Sequence, residues 1–348
     1  TNIDDPSAHF QVKLYTGTGA SHAVTFDGNS DLQPDFVWNK RRDASYYHRL
    51  WDSNRGVTKY VPSNDSTAEA TFGYVSSFDT DGITFGSSDQ SVNTSGGTYV
   101  LYNWKCNGGT TSSNTTGTIT STVQANSDAG FNIVTYTGNG SNSNFAHGMS
   151  EQPDMVIVRR RNAAGHWCVW HKDLTSSYYM QLNTTISQQT GPWDGLDPSS
   201  AVVYVYNGTL VNGNGDDYVA YIFKGKQGYS KFGRYVGTGS SVNSYAFGPR
   251  IHTGFKPAWV MIKRKDATGN WVIWNHKTGP YNLNDPYVYA NEASAEATST
   301  TQGIDFLSNG FKIRNTYNDT GTGGGDYIYA AFAQNPFVTS TGIPTTAR

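Results

Sequence analysis

The feature that most constrains this chain is a unit that occurs three times, in the same order and at nearly the same spacing. The copies open with Phe10-Gln-Val-Lys-Leu-Tyr-Thr-Gly-Thr-Gly19, Phe131-Asn-Ile-Val-Thr-Tyr-Thr-Gly-Asn-Gly140 and the slightly shorter Phe232-Gly-Arg-Tyr-Val-Gly-Thr-Gly239. A proline-led apolar strand follows in each: Pro34-Asp-Phe-Val-Trp-Asn-Lys40, Pro153-Asp-Met-Val-Ile-Val-Arg159 and Pro257-Ala-Trp-Val-Met-Ile-Lys263. Seventeen residues after each proline stands a tryptophan, Trp51, Trp170 or Trp274. A strand ending in Asn64, Asn183 or Asn291 comes next. Each copy closes on a tyrosine-led strand that starts at Tyr99, Tyr218 or Tyr327. A period of this size means one supersecondary unit used repeatedly.

The unit reads as all-β. Short runs of Val, Ile, Tyr, Phe, Trp and Thr alternate with Gly, Asn, Asp and Ser clusters. Asp81-Gly82 and Asn309-Gly310 are hairpin signals. Six or seven strands in about 100 residues is the arithmetic of a small sandwich. The expected architecture is therefore three tandem antiparallel β-sandwich repeats, jelly-roll or lectin-like. Copy one spans 1–107, copy two 131–226 and copy three 227–337. A Ser/Thr-rich linker or extra strand occupies 108–130, and a polar, mobile tail 338–348. Short helices are expected only at 66–70 and 292–297. Trp51, Trp170, Trp274, Tyr99, Tyr218 and Tyr327 are expected in the core, because all copies keep them. The two cysteines, Cys106 and Cys168, are too few for a disulfide scaffold. The chain begins at Thr1, which reads either as a processing product or as a piece of a longer chain.

Composition removes several function classes. The net charge of −2 gives no electrostatic footprint for nucleic acid. No apolar run approaches a helical membrane span, so no membrane insertion is expected. His166 and His171 stand five apart, which puts them on opposite faces of a regular strand, so they cannot share an ion. Asp27-Gly-Asn-Ser-Asp31 begins like a calcium loop but has Leu32 where glycine is needed. No metal and no cofactor is expected. Calcium held at the turns by Asp79, Asp81, Asp216, Asp217 and Asp326 is the alternative left open, and turn chemistry explains those residues equally well. A glycosidase needs two closely set carboxylates. The copies share no acidic pair, and Asp194 and Asp197 stand alone beside Trp193. The chain reads as a non-enzyme.

Loop aromatics are the better lead, because exposed rings pack on the C–H faces of sugars while polar neighbours bond the hydroxyls. The ligand-binding candidates are Tyr46, Tyr47, His48, Tyr178, Tyr179, Trp193, Asp194 and Tyr281. The competing reading places each in the core or between copies.

Y-T-G-x-G, the proline-led V-x-x-K/R strand, W-x-x-W, D-G-F/I and the tyrosine-led ending, together with the terminal Asn335-Pro-Phe-Val-Thr-Ser-Thr-Gly-Ile-Pro-Thr-Thr-Ala-Arg348, resemble a repeat in structural and tail-fibre-like proteins of marine bacteriophages, cyanophages and pelagiphages among them. That resemblance covers nearly the whole chain. It implies a virion or extracellular location and other virion proteins as partners. It says little about the ligand; the loop aromatics add the expectation of a receptor-binding role toward a host-surface glycan, with a homo-oligomer, favourably a trimer as suits a fibre, supplying multivalency. The alternatives are a purely structural virion or filament component and a carbohydrate-active enzyme. Copy one departs from the pattern by lacking W-x-x-W, with Arg49 and Leu50 before Trp51. Copy two has Tyr204-Val-Tyr-Asn-Gly in place of D/N-G-F/I.

Overall fold

A computed structural model describes residues 2–239, 241–242, 245–246 and 248–344. It is all-β, built from antiparallel sheets in a sandwich-like arrangement, and the described residues hold no helix beyond the short turn Pro6–Ala8. The segments 66–70 and 292–297, expected as helices, are extended arms that end in strand pairs. They make their hydrogen bonds to a neighbouring copy rather than within a turn: Glu69 N–H donates to Arg161 O (2.8 Å) and Glu296 N–H to Arg42 O (2.8 Å). Of the tail, 338–344 are described and 345–348 lie outside the described residues.

Each sequence copy contributes a large sheet in one order: lead strand, tyrosine strand, proline strand, tryptophan strand. In copy one these are Phe10–Thr16, Thr98–Trp104, Phe36–Arg41 and Arg49–Asp52. In copy two they are Phe131–Thr137, Asp217–Phe223, Met155–Arg160 and Cys168–His171. In copy three they are Ser230–Val236, Asp326–Pro336, Phe255–Arg264 and Trp271–Asn275. Tyrosine sets the register. Tyr15 faces Tyr99, Tyr136 faces Tyr218 and Tyr235 faces Tyr327, and each pair stacks at 4.9–5.0 Å between centroids. Aligned this way, Ser230 and not Phe232 takes the place of Phe10 and Phe131, which corrects the expected start of copy three. The leading tyrosines also clamp one loop each. Their hydroxyls donate to Gln90 O, Thr209 O and Asn318 O and accept from the N–H of Thr94, Gly213 and Thr322. Pro257 sits inside its strand, where a bulge removes the need for its missing N–H.

Against the outer face of each large sheet lies a smaller one. Copy one uses His22–Thr25, Gly82–Phe85 and Val75–Asp79, and copy three uses Arg250–His252, Gly310–Ile313 and Ile304–Leu307. Gly82 and Gly310 both have φ +135°, and a side chain there would strike Val24 O or Ile251 O. Copy two, which lacks the D/N-G-F/I turn, has only the pair Ser143–Ala146 and Val202–Val205. Within 108–130, Ser121–Asn126 is a full strand that pairs with Phe131–Thr137.

The inner faces of all three large sheets meet in one shared core. Strand alternation divides the side chains between this core and the outer ones. Val100, Tyr102 and Trp104 point inward while Tyr99 and Leu101 point outward, and Val219, Tyr221 and Phe223 alternate with Tyr218, Ala220 and Ile222 in the same way. Trp104, Phe223 and Phe332, at one register position, touch each other at 5.5–6.4 Å, as a three-fold axis through the centre requires. Four cores, one of them shared, take up all 9 Trp and many of the Tyr and Phe. Trp51, Trp170 and Trp274 lie buried in the outer cores. Cys106 and Cys168 are free and buried, one in the shared core and one in the outer core of copy two.

Candidate functional site

The same strand order places a cyclic set of polar contacts between copies. Fourteen residues after each leading proline, a ring N–H reaches a neighbour's carbonyl: Trp167 to Pro62 O (2.8 Å), Trp271 to Gln181 O (2.9 Å) and His48 to Tyr289 O (3.0 Å). Asn64, Asn183 and Asn291 each accept the backbone N–H of that ring residue. Copy one therefore keeps the contact that W-x-x-W makes elsewhere, with histidine in place of the first tryptophan. Trp38 fills the space the smaller ring leaves and donates to His48 Nδ1 (2.7 Å), so Nε2 carries the proton. Burial drives the His48 pKa well down, and the ring is neutral. His48 is thus a seam residue, not a ligand-facing one.

Buried cations repeat as well. Lys40 bonds Tyr46 O and Ala293 O, Lys263 bonds Thr185 O and Gly269 O, and Arg159 bonds Thr67 O and lies over the Trp167 ring. Burial holds both lysines down to about 7. They are structural ties in a cyclic pattern.

The remaining candidates fall into three places. Trp193 is fully buried in the outer core of copy two, so it shows no face to a ligand, and Asp194 binds Asn142 (2.5 Å) on the surface. Asp197 is committed to Trp170 Nε1 (3.1 Å) and to the Ser176 and Ser177 turn, so these acids are not a free pair. Tyr178 packs against the shared core and Tyr179 against the outer one. Tyr281 is 80% exposed and makes no ring contact among the described residues.

Tyr46 and Tyr47 are brought together with residues that sequence reasoning missed. On the outer surface of copy one, Arg41 lies over the Tyr46 ring (4.9 Å), and Arg49 lies between Tyr60 (4.9 Å) and Tyr47 (5.8 Å). Tyr60 continues to Tyr74 (5.3 Å) and Tyr74 to Phe72 (4.4 Å). Buried Trp51 supports Tyr60 from below (6.1 Å). Both arginines are anchored, Arg41 by Asp43 (2.8 Å) and Gln90 O (3.0 Å), Arg49 by Ser91 Oγ (3.2 Å). Such cation–π contacts are worth about 0.5–1 kcal/mol each at the surface. The ends of the platform, Tyr47 at 44% and Phe72 at 51% exposed, face solvent. Burial and the nearby Asp89 carboxylate push Tyr74 up to about 12, so its phenol stays protonated. The platform offers apolar faces and fixed N–H donors. Its two neighbouring acids are committed, Asp43 to Arg41 and Asp89 to Ser91. The arrangement suits binding of a hydroxylated, ring-shaped ligand. The platform is confined to copy one, since Phe72 and Tyr74 correspond by spacing to Gly191 and Trp193 in copy two and to Ser299 and Thr301 in copy three.

Among the described residues, no group of three or more His, Cys, Asp or Glu side chains is placed to hold a metal ion. Asp79 binds Ser77 and Thr84, Asp81 the Leu32 N–H, Asp216 Arg160, Asp217 Thr137, and Asp326 Lys265 and Arg234.

A family model described as a domain of unknown function (DUF7483) matches residues 5–336, and the chain belongs to that family. Comparison with curated proteins and with solved structures gives no match.

Proposed function

We propose that this member of a family of unknown function is a non-enzymatic virion appendage protein that displays a polysaccharide-binding surface to a host cell. The observation that carries the reading is the aromatic–arginine platform of copy one, with Tyr47 and Phe72 exposed on rings stiffened by Arg41 and Arg49. Rigid rings cost little entropy on binding, and fixed guanidinium groups orient sugar hydroxyls. In this reading each copy is a lectin-like or jelly-roll sandwich of about 100 residues with the boundaries given above, and 108–130 is an insertion in copy two. One platform per chain gives weak binding, so multivalency comes from oligomers, favourably trimers, within an extracellular particle. The ring of contacts between copies is closed within one chain, so a trimer would use another surface.

The test is binding of the labelled chain to a panel of bacterial cells and their extracted polysaccharides, with calcium and with chelator. Saturable binding to some hosts, lost in Tyr47→Ala and Phe72→Ala with the fold intact, supports the reading. Loss in chelator adds calcium to the site. No binding to any host, with self-association into regular oligomers, overturns it in favour of a purely structural component.

A further inference from the structure

One stretch of the chain shows what the open side of these sandwiches accepts. In copy two, Ser121–Asn126 adds antiparallel to the lead strand over six register pairs, from Ser121↔Tyr136 to Asn126↔Phe131. Just before it, Ile119 bridges to Phe145 in the small sheet, and its N–H donates to Asn144 O (2.9 Å). Ile119 and Val123 are buried in the outer core. An extended segment with alternate apolar side chains thus closes the gap between the edge strands of the two sheets.

The equivalent gap in copy three is open. Ser230–Val236 pairs only with Asp326–Pro336, and Arg250–His252 only with Gly310–Ile313, among the described residues. Between these edges, and against Lys172 and Asp173 of copy two, lies a groove of about 450 Å³. Lys172, Lys231, Arg234 and Arg250 line it with Asp173; Lys172 pairs with Asp154 (3.2 Å) and Arg234 with Asp326 (3.5 Å), which leaves Lys231, bound to His252 O (2.7 Å), and exposed Arg250 with no acidic partner among the described residues. Burial, and after it the Lys172 charge, hold the Lys231 ammonium below its usual pKa. Copy one also has an open lead edge, but Lys277, which lines its groove, shares Asp27 (3.0 Å) with Lys13 (3.4 Å), so no cation is left there without an acidic partner among the described residues.

We propose that the copy-three cleft is a strand-addition site that takes an extended, acidic peptide segment of a partner protein, paired antiparallel to Ser230–Val236. Main-chain hydrogen bonds to the free edge supply affinity, and the cationic rim selects the charge. Backbone pairing favours a peptide over a polysaccharide, since an acidic glycan has no ladder of amides to offer the edge. The alternative is that the cations only blunt an exposed edge against chance pairing.

The probe is a short fluorescent peptide alternating Glu with Val and Thr. Controls are the same peptide with alternate amides N-methylated, and dextran sulfate as a non-peptide polyanion. The expected result is saturable binding that weakens about tenfold in Arg250→Glu, an exposed position, and disappears on N-methylation. Amides of 230–236 should exchange more slowly when the peptide is bound. Equal binding of the N-methylated peptide overturns the pairing. Binding of dextran sulfate but not of the peptide reassigns the groove to a polyanionic glycan. Binding of neither leaves the edge blunted only. The cleft shares no residue with the platform of copy one, so either site can fail without the other.

Discussion

The seam between copies one and two and the seam between copies two and three are built on one plan and differ in charge. In the first, Glu69 takes Arg161 in a two-point pair (2.9 and 3.0 Å) and also binds buried Arg55 (2.8 Å), which holds Asp52 (2.5 Å). Asp52 accepts in turn from the Tyr221 hydroxyl of copy two (2.7 Å). In the second, Gln188 stands where Glu69 stands and Lys265 where Arg161 stands. The backbone contact survives, Gln188 N–H to Lys265 O (2.9 Å), but the ion pair does not. His171 takes the place of Asp52, and its ring N–H reaches Tyr329 O (3.2 Å), because copy three has Ala330 where a tyrosine hydroxyl would be. The third seam, copy three to copy one, retains the pair Arg42–Glu296 (2.7 Å). Backbone and ring contacts are thus common to all seams, and charge is an addition. The seam without the ion pair borders the open basic groove.

Five experiments probe this comparison. Trp104→Ala, at the axis where all copies meet, should cost about 3–5 kcal/mol in denaturant unfolding, the usual range for losing a core ring. Glu69→Gln should cost about 2 kcal/mol and Glu296→Gln about 1 kcal/mol, since the former loses pairs with two arginines, one of them the fully buried Arg55 that keeps only Asp52, and the latter loses one partly exposed arginine. Equal effects would show that the seams do not differ in this way. Trp38→Ile alone should lose about 2–3 kcal/mol, because it leaves a cavity and takes away the donor to His48. His48→Trp alone should overpack the site. The double variant, which recreates the Ile157/Trp167 arrangement, should recover most of the loss. Acid should weaken the seam between copies two and three next. Burial holds His171 down to about 3, whereas the unfolded chain titrates near 6.5. The unfolded state therefore binds the extra proton below pH 6.5, and stability falls from there toward pH 3 by about 1.4 kcal/mol per unit for this group. His171→Asn should remove one proton from the measured slope. The smallest effect is Gln188→Glu, a gain of about 0.5 kcal/mol if the pair with Lys265 forms.

The repeat spacing made the unit and its recurring strands readable, because each recurring residue has one job. The leading tyrosines clamp a loop, Asn64, Asn183 and Asn291 bracket the tryptophan strand, and the first W of W-x-x-W crosses a seam. The shared core was less legible. Its signal was present in unbroken apolar runs such as Val219-Ala-Tyr-Ile-Phe223, which mark strands buried on both faces, whereas a surface sandwich strand alternates. The arms at 66–70 and 292–297 could not be told from short helices locally, since their partners lie in another copy. The platform was half visible. Tyr46 and Tyr47 stand out as a pair, but Arg41, Arg49, Tyr60 and Phe72 reach them only through strand pairing across the sheet. Trp193 misled because a loop position carries no sign of whether the fold turns it inward.

The central claim is that three copies close on one core and so fold as one unit. Scanning calorimetry of the whole chain tests it most directly. The account predicts a single transition with equal calorimetric and van't Hoff enthalpies, shifted as a whole by Trp104→Ala. Separate transitions for separate copies, or residues 227–337 alone giving a native near-ultraviolet spectrum, would contradict it.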